Sequence, residues 1–484
     1  MTQTTVLTAD LALIAPELFL LGATCVLLLI DLFLTQQRRG LVHFLALLAL
    51  AGTAVLTLRN GLAPDAEATA FGGMFVRDAV SDTLKVFIYL VTAAAFVYAK
   101  PYLIDRDLFK GEFYMLALFS VLGMMVLVSA GNLLTVYLGL ELMALSIYAL
   151  VALHRDNRLA SEAAMKYFVL GALASGMLLY GMSMIYGATG SMDLAEIHRA
   201  STGVEERTLL LFGLVFVVVG LAFKFGAAPF HMWIPDVYHG APTAVTLFIG
   251  SAPKLAAFGM FYRLMEDGAG ALDADWRIMI GWLAVLSLAI GNVVAIAQTN
   301  LKRMLAYSTI SHVGFLFLGL SAGTPTGYAA AMFYAITYAL MATAAFASIM
   351  LLSRRDFESE EIDDFRGLNR RHPWYAFLVL CVMASLAGIP PFLGFWSKLV
   401  VLQAVIEVDM LWLAIVAVVF AVVGAYYYLR VIKVMYFDTP AEDVLPGQRD
   451  PQLKVLLTVN ALLLLVLGLF WSPLIALCER AIGV

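Results

Sequence analysis

Five lysines, one glutamate and one histidine stand inside stretches of this sequence that are otherwise apolar. They are Lys85, Lys166, Lys224, Lys254, Lys398, Glu141 and His312. Ionisable side chains at membrane depth are costly and are usually functional, because they pair with one another or line a path for ions or protons. Each of these residue types can bind and release a proton. The chemistry that the set indicates is therefore proton transfer.

Depth within the predicted helices separates the candidates. At 1.5 Å per residue, Glu141 and His312 lie about 12 Å and Lys254 about 18 Å inside their spans, too deep for a charged end to reach an interface. Each still has a structural alternative: a hydrogen-bonded neutral acid for Glu141, a satisfied core imidazole for His312, and a permanent ion pair for Lys254.

The remaining lysines lie nearer to a membrane surface. Lys224 is about 24 Å from the outer surface, and Lys166 is near the inner end of its span, so snorkelling toward the cytoplasmic interface is open for both. For Lys85, near the outer end, we interpret the side chain as snorkelling. Lys224 and Lys398 also flank two interruptions of the helical pattern.

Composition requires a membrane fold. The chain has 484 residues, of which 62% are hydrophobic and 13% charged, and its mean hydropathy is +0.90. The net charge of −5, without a basic patch, excludes a nucleic-acid partner. Three isolated cysteines exclude a disulfide framework, and no flavin, nicotinamide or iron-sulfur motif is present. We therefore expect no cofactor and no metal in this chain.

About fourteen apolar runs are long enough to cross a bilayer, which needs roughly 20 helical residues. Alternate connections carry 18 of the 30 Lys and Arg residues, Arg449 among them, and the opposite set carries seven, among acids such as Asp65 and Glu205. Because basic residues concentrate on the cytoplasmic side, both termini are predicted on the periplasmic side. The absence of a transit-like leader favours a bacterial plasma membrane.

A short repeat interrupts two of these runs. Gly226-Ala-Ala-Pro-Phe230 follows the seventh span, and Gly388-Ile-Pro-Pro-Phe392 lies within the twelfth, 162 residues and five spans later. An odd number of spans reverses the second copy, so the pattern predicts two inverted five-helix repeats with discontinuous helices 7 and 12. The predicted units are residues 1–110 (three helices), 111–268 (first repeat), 269–438 (second repeat) and 439–484 (helix 14).

Several segments carry a resemblance to a known family. YLGLELMALSIYALVALHRD, FKFGAAPFHMWIPDVYHGAPTAVTLFIGSAPKLAAF, LKRMLAYSTISHVGFLFLG and GIPPFLGFWSKLVVLQA closely resemble the subunit N family of proton-pumping NADH-quinone oxidoreductase, respiratory complex I. Its parent family is antiporter-like and includes subunits L and M and Mrp-type cation/proton antiporters. Lys398 and the segment around Lys166 are similar to subunit N, since an acid at the Lys398 position would be expected for subunit M.

The resemblance implies roles for six residues. It implies that Glu141 pairs with Lys224, that Lys166 modulates that pair, and that Lys254 is the central proton carrier. His312 would be the link and Lys398 the exit-side lysine.

The resemblance also implies partners and a reaction. The chain would translocate protons within an NADH:quinone oxidoreductase, beside subunits M, K and J and membrane lipid. FMN, iron-sulfur clusters and quinone would belong to partner subunits, and quinone reduction there would supply the energy. An Mrp-type antiporter subunit, which exchanges Na⁺ or K⁺ for protons, is the alternative.

Overall fold

The computed structural model describes residues 3–59, 67–203, 206–355, 357–440 and 450–484, with side chains from residue 8 onward. Asp65, Glu205 and Arg449, which entered the loop argument, lie outside these ranges.

The described chain is built almost entirely from α-helices. The first ten are α1 (Gln3–Leu13), α2 (Ala15–Leu32), α3 (Gly40–Arg59), α4 (Ala79–Asp105), α5 (Gly111–Val128), α6 (Leu133–Val151), α7 (Arg158–Thr189), α8 (Leu194–Ala200), α9 (Arg207–Phe225) and α10 (Trp233–Gly240). The others are α11 (Thr243–Ile249), α12 (Ala252–Phe261), α13 (Asp273–Ile296), α14 (Leu301–Ser321), α15 (Pro325–Leu352), α16 (Leu368–Arg371), α17 (Pro373–Ala387), α18 (Leu393–Glu407), α19 (Leu411–Phe437), α20 (Pro451–Leu469) and α21 (Ser472–Ile482).

Minor elements complete the described fold. An antiparallel hairpin joins β1 (Ala68–Ala70) to β2 (Phe75–Arg77), so the all-α prediction overlooked one small sheet. Short 3₁₀ turns cover Gln36–Arg38, Gly270–Leu272 and Ile362–Phe365, and a π-helical segment, Tyr262–Gly268, continues α12.

The predicted membrane-spanning architecture is confirmed. Thirteen helical segments in the described chain are long and apolar enough to cross a membrane. The remaining predicted span is the interrupted one, which the structure divides into α17 and α18. The segments 243–268, 301–321 and 325–352 form the enclosed centre, whereas α19 and α20 expose most of their surface. The inverted orientation of the two repeats and the division into four units stay predictions.

Helices 7 and 12 are discontinuous as predicted. α9 ends at Phe225 and α17 ends at Ala387, and the residues that follow, Gly226 and Gly388, have positive φ (78° and 83°) that a glycine adopts without steric cost. The peptide bonds preceding Pro229 and Pro391 are cis.

A third break was not predicted. Span eight was expected to be continuous from Pro242 to Met265, but α11 ends at Ile249 and α12 begins at Ala252. Pro253 has no N–H to donate to the carbonyl four residues earlier, which belongs to Ile249. The helix therefore stops one turn before Lys254.

Candidate functional site

Lys254 contacts the C-terminal end of α9, the helix that precedes the first break. Its Nζ donates a 2.6 Å hydrogen bond to the carbonyl oxygen of Phe225, the last residue of α9. In an unbroken helix that carbonyl would accept from residue 229, but Pro229 has no N–H. The side chain of Lys254 is buried, and its Nζ lies 5.6 Å from the centre of the Trp233 ring.

Lys398 makes the corresponding contact at the second break. Its Nζ donates to the carbonyl oxygens of Leu386 at 3.0 Å and Ala387 at 2.9 Å, the last two residues of α17. Their helical partners would be Pro390 and Pro391, neither of which has an N–H. At both helix breaks, the prolines of the G-x-x-P-F sequence thus leave backbone carbonyls free to accept a hydrogen bond from a lysine.

The helix ends also favour positive charge. The C-terminal end of an α-helix carries a partial negative charge from its unpaired carbonyls, which stabilises a nearby cation. Lys254 and Lys398 both lie against such an end and form no ion pair with any described carboxylate. The permanent ion pair considered for Lys254 is therefore absent from the described chain.

His312 lies between two tyrosine hydroxyls in the centre of the molecule. Its Nδ1 is 2.7 Å from the Tyr334 hydroxyl and its Nε2 is 3.1 Å from the Tyr428 hydroxyl. Phe315, one turn further along α14, has its ring 5.0 Å from the Nζ of Lys398. His312 and Lys398 are close enough for their charges to interact. These contacts favour a hydrogen-bonded chain over an isolated core imidazole.

Glu141 and Lys224 do not form the direct ion pair that the resemblance implied. Lys224 donates instead to the Ser175 hydroxyl at 3.1 Å, and the Oε1 atom of Glu141 is buried without a hydrogen bond among the described residues. The two charges are still close enough to interact. A different rotamer or a bridging water would be needed to join them.

A small enclosed cavity is lined by both Lys224 and Lys254. Its volume is about 20 Å³, and Lys224, Lys254, Tyr167 and Trp233 contribute to its lining. This is enough space for about one water molecule, which occupies roughly 10–15 Å³ by this measure. One water could therefore connect the two Nζ groups.

Lys166 does not belong to the buried row. Its side chain is 44% exposed, and its Nζ pairs with Glu162 at 2.9 Å and Asp236 at 2.7 Å. Asp236 also accepts from Arg303 at 3.1 Å, so the three charges link α7, α10 and α14. Among the described residues Lys166 forms no ion pair with Glu141, and its modulating role stays a prediction.

The snorkelling interpretation of Lys85 is wrong. Lys85 is 1% exposed and its Nζ lies 2.7 Å from the Oε1 atom of Glu17, whose side chain is also buried. Glu17 comes from α2, 68 residues earlier in the chain, so no local pattern could reveal the pair.

Lys302 was counted among the loop cations, but it is buried. Its Nζ donates to the backbone carbonyls of His239 at 3.1 Å and Ala241 at 3.0 Å, at the end of α10. The end of α10 is therefore a third helix C-terminus whose carbonyls accept hydrogen bonds from a lysine.

The described residues contain no group of three or more His, Cys, Asp or Glu side chains placed to hold a metal ion.

The geometry and the fold define the class of protein. Residues 130–424 match the transmembrane family of NADH:quinone oxidoreductase and Mrp antiporters. The whole fold is similar to a chain of respiratory complex I from Thermus thermophilus with bound aureothin (TM-score 0.80, 33% identity, 95% of this chain and 98% of that one). It is also similar in fold to a chain of the Mrp complex from Dietzia (TM-score 0.84, 22% identity, 97% and 96%).

Relatives narrow the class. The chain is 57% identical over 476 residues to NADH-quinone oxidoreductase subunit N of Thioalkalivibrio sulfidiphilus, covering 98% of both chains. It is 59% identical over 474 residues to subunit N of Xanthomonas euvesicatoria, covering 98% of this chain and 97% of that one. The chain belongs to the NADH-quinone oxidoreductase subunit N family.

Proposed function

We propose that this chain translocates protons as a membrane subunit of NADH-quinone oxidoreductase. The observation that carries the proposal is the pair of helix breaks, at which Lys254 and Lys398 are each held by carbonyls that proline leaves free. A buried lysine held by carbonyls can donate a hydrogen bond as an ammonium or as a neutral amine. It can therefore load and release a proton without losing its position.

The proposed path follows the buried row. Glu141 and Lys224 form its first part, Lys254 is the central carrier, His312 is the link, and Lys398 is the last carrier. Movement of Glu141 relative to Lys224 changes the local potential at Lys254, and in a low-dielectric interior a charge at close range changes a proton affinity by several kcal/mol. Lys166 acts from the outer surface of α7, by positioning α10 through Asp236.

The redox chemistry is assigned to partner subunits. FMN, iron-sulfur clusters and quinone lie there, and quinone reduction supplies the energy. The neighbours are the antiporter-like subunit M and small subunits such as K and J, with lipid around the exposed helices. The complex lies in a bacterial plasma membrane with both termini of this chain in the periplasm.

A cation/proton antiporter of the Mrp type is the second candidate, because the fold is similar to that of an Mrp chain. The high identity to subunit N relatives favours the first candidate.

Two measurements separate the candidates. On a native gel, the oxidoreductase subunit migrates with a band that stains for NADH dehydrogenase activity. When the chain is reconstituted alone in liposomes, an oxidoreductase subunit produces no proton flux that depends on Na⁺ or K⁺. Absence from the stained band, together with cation-dependent flux by the isolated chain, would replace the first proposal with the second.

A further inference from the structure

The loop that follows α9 has three buried backbone N–H groups before its proline. The N–H of Gly226 donates to the carbonyl oxygen of Ala222 at 2.9 Å, and that of Ala227 donates to the same oxygen at 2.8 Å. Both are local contacts with the end of α9. Buried N–H groups are nearly always hydrogen-bonded, and Pro229 has none, so the group that still needs a partner is the N–H of Ala228.

The N–H of Ala228 is bound by a helix that lies outside the first predicted repeat. It donates a 2.9 Å hydrogen bond to the Oγ atom of Ser287, and both residues are fully buried. Ser287 lies on α13, 59 residues further along the chain. A side-chain hydroxyl from a distant helix therefore completes the backbone hydrogen bonding of the first break.

The second break shows why this contact is particular to the first. There the N–H groups of Gly388 and Ile389 donate to the carbonyl oxygen of Ala384, at 3.1 Å and 3.0 Å, as their counterparts do in α9. The third position of the G-x-x-P-F sequence is here Pro390, which has no N–H. The second break therefore needs no serine hydroxyl, and a proline is compatible with this position of the loop.

The N–H of Ala228 and the acceptor of Lys254 belong to the same short loop. The Lys254 Nζ donates at 2.6 Å to the carbonyl oxygen of Phe225, and a single peptide unit separates that carbonyl from the N–H of Ala228. Because peptide units are planar, few dihedral angles lie between the two groups. A loop that turns to find another partner for the Ala228 N–H also turns the Phe225 carbonyl away from Lys254.

We propose that Ser287 is a positioning residue for proton translocation, whose hydroxyl holds the first break so that the Phe225 carbonyl faces Lys254. This inference rests on the proposed function, in which Lys254 is a carrier. Ser287 itself transfers no proton, since its contact is with a backbone N–H of the loop. Because α13 lies in the second predicted repeat, the geometry at Lys254 depends on both halves of the molecule.

The test removes the Ser287 hydroxyl in the intact complex and measures protons translocated per NADH oxidised in proteoliposomes. Ser287→Ala leaves the Ala228 N–H unpaired in a buried site, and we expect the ratio to fall between that of Lys254→Ala and that of the unmodified complex. Ser348→Ala is the matched control. Ser348 is also fully buried, but its hydroxyl donates to the Ala344 carbonyl within its own helix, α15. We expect this control to translocate like the unmodified complex.

A double variant asks whether the unpaired N–H causes the loss. Ala228→Pro removes that N–H and gives the first break the proline that the second break has at this position. We expect Ser287→Ala combined with Ala228→Pro to recover the ratio of the unmodified complex, whereas a loss of packing on α13 predicts no recovery. A double variant as impaired as Ser287→Ala would therefore overturn the inference.

A structure of the complex carrying Ser287→Ala reads the position of the loop directly and does not depend on activity. We expect electron cryomicroscopy to show the Phe225 carbonyl turned away and its 2.6 Å contact with the Lys254 Nζ lost. An unchanged contact would overturn the inference, including where the double variant fails to assemble.

The outcomes also separate this inference from the proposed function. If Lys254→Ala loses translocation and Ser287→Ala does not, the positioning role is wrong and the proposed function stands. If Lys254→Ala translocates normally, the proposed function fails, and the inference fails with it. Equal losses in Ser287→Ala and Ser348→Ala would assign the effect to the removal of any buried hydroxyl, which would overturn the inference alone.

Discussion

The two lysines at the helix breaks and the lysine beside Glu17 are held in different ways. Lys254 and Lys398 donate to backbone carbonyls, whereas Lys85 contacts a buried carboxylate at 2.7 Å. A neutral carbonyl accepts a hydrogen bond from an ammonium or from a neutral amine, whereas a carboxylate forms an ion pair only with an ammonium. Burial alone therefore does not separate Lys85 from the two lysines in the proposed path, whereas the type of partner does.

The pair of Glu17 and Lys85 predicts a stability effect without a direct transport effect. Lys85→Met alone leaves a buried carboxylate unpaired and should destabilise the chain by about 3–5 kcal/mol. The double variant with Glu17→Leu should recover most of that loss, because a packed apolar pair has no charge to desolvate. Thermal unfolding of the purified complex measures both.

A measurement of proton translocation by the double variant completes this test. The double variant should translocate protons normally, since neither residue lies in the proposed path. A double variant as unstable as the single one, or one that no longer translocates, would show that the pair does more than hold α2 against α4.

At the scale of elements, the sequence predicts where helices break better than it predicts which distant residues contact the buried lysines. The G-x-x-P-F repeat identified both discontinuous helices, because glycine and proline act on the local backbone. The break after Ile249 was missed, although Pro253 marks it, since a single proline is also common in a continuous kinked helix. Lys302 was misplaced because its partners, the carbonyls at the end of α10, come from a distant part of the chain.

The helix break at Gly388 predicts the effect of adding one methyl group at that position. A Cβ at Gly388 would lie 2.9 Å from Cδ and 3.1 Å from Nζ of Lys398. Gly388→Ala should therefore displace Lys398 from its carbonyls and reduce proton translocation per NADH oxidised. It also places alanine at positive φ, which costs about 1–2 kcal/mol.

Gly190→Ala is the matched control for that substitution. Gly190 also has positive φ, at 76°, but nothing lies within 4 Å of its added Cβ. The backbone cost is the same, while no lysine is displaced. Equal losses of translocation in the two variants would show that backbone strain, and not the position of Lys398, is what matters.

The loop of residues 357–365, which includes Glu360, predicts a pH dependence. Burial raises the pKa of the Glu360 carboxyl, but the hydrogen bond with His239 and the charge of Lys302 outweigh it and hold that pKa below its ordinary 4.5. A depressed pKa contributes stability that is present above the ordinary value and is lost as the pH falls through the folded-state value.

Acidification below about pH 4.5 should therefore loosen the loop formed by residues 357–365. Hydrogen exchange of this loop, corrected for the intrinsic pH dependence, should rise there in the unmodified chain. In Glu360→Gln the loop should already exchange faster at neutral pH and should show a smaller step. An identical step in both would assign the effect to another group.

At the scale of the whole molecule, polar cavities lie at the two ends of α4. One, of about 550 Å³, is lined by residues that include Arg106 and Glu358. The other, of about 450 Å³, is lined by residues that include Asp78, His198, Arg263 and Asp267. Arg263 is buried there and pairs with Asp78 at 2.8 Å and Asp267 at 2.9 Å. The enclosed helices between the two cavities contain Lys254, as the proposed pathway requires.

The proposed orientation of the chain has its own test. A cysteine at Val484, which is 54% exposed, should react with a membrane-impermeant maleimide added to intact spheroplasts, because the C-terminus is predicted in the periplasm. A cysteine at Arg355, on a connection predicted to be cytoplasmic, should react only after permeabilisation. The reverse pattern would invert the topology.

The measurement that tests the central claim most directly is the number of protons translocated per NADH oxidised by the complex carrying Lys254→Ala. Lys433→Ala is the control, because Lys433 is an exposed lysine paired with Asp438 at a helix end. A buried lysine held at a helix break and used as a carrier predicts that the ratio falls in Lys254→Ala and stays unchanged in Lys433→Ala. An unchanged ratio in Lys254→Ala, in a complex that still contains this chain, would contradict the account.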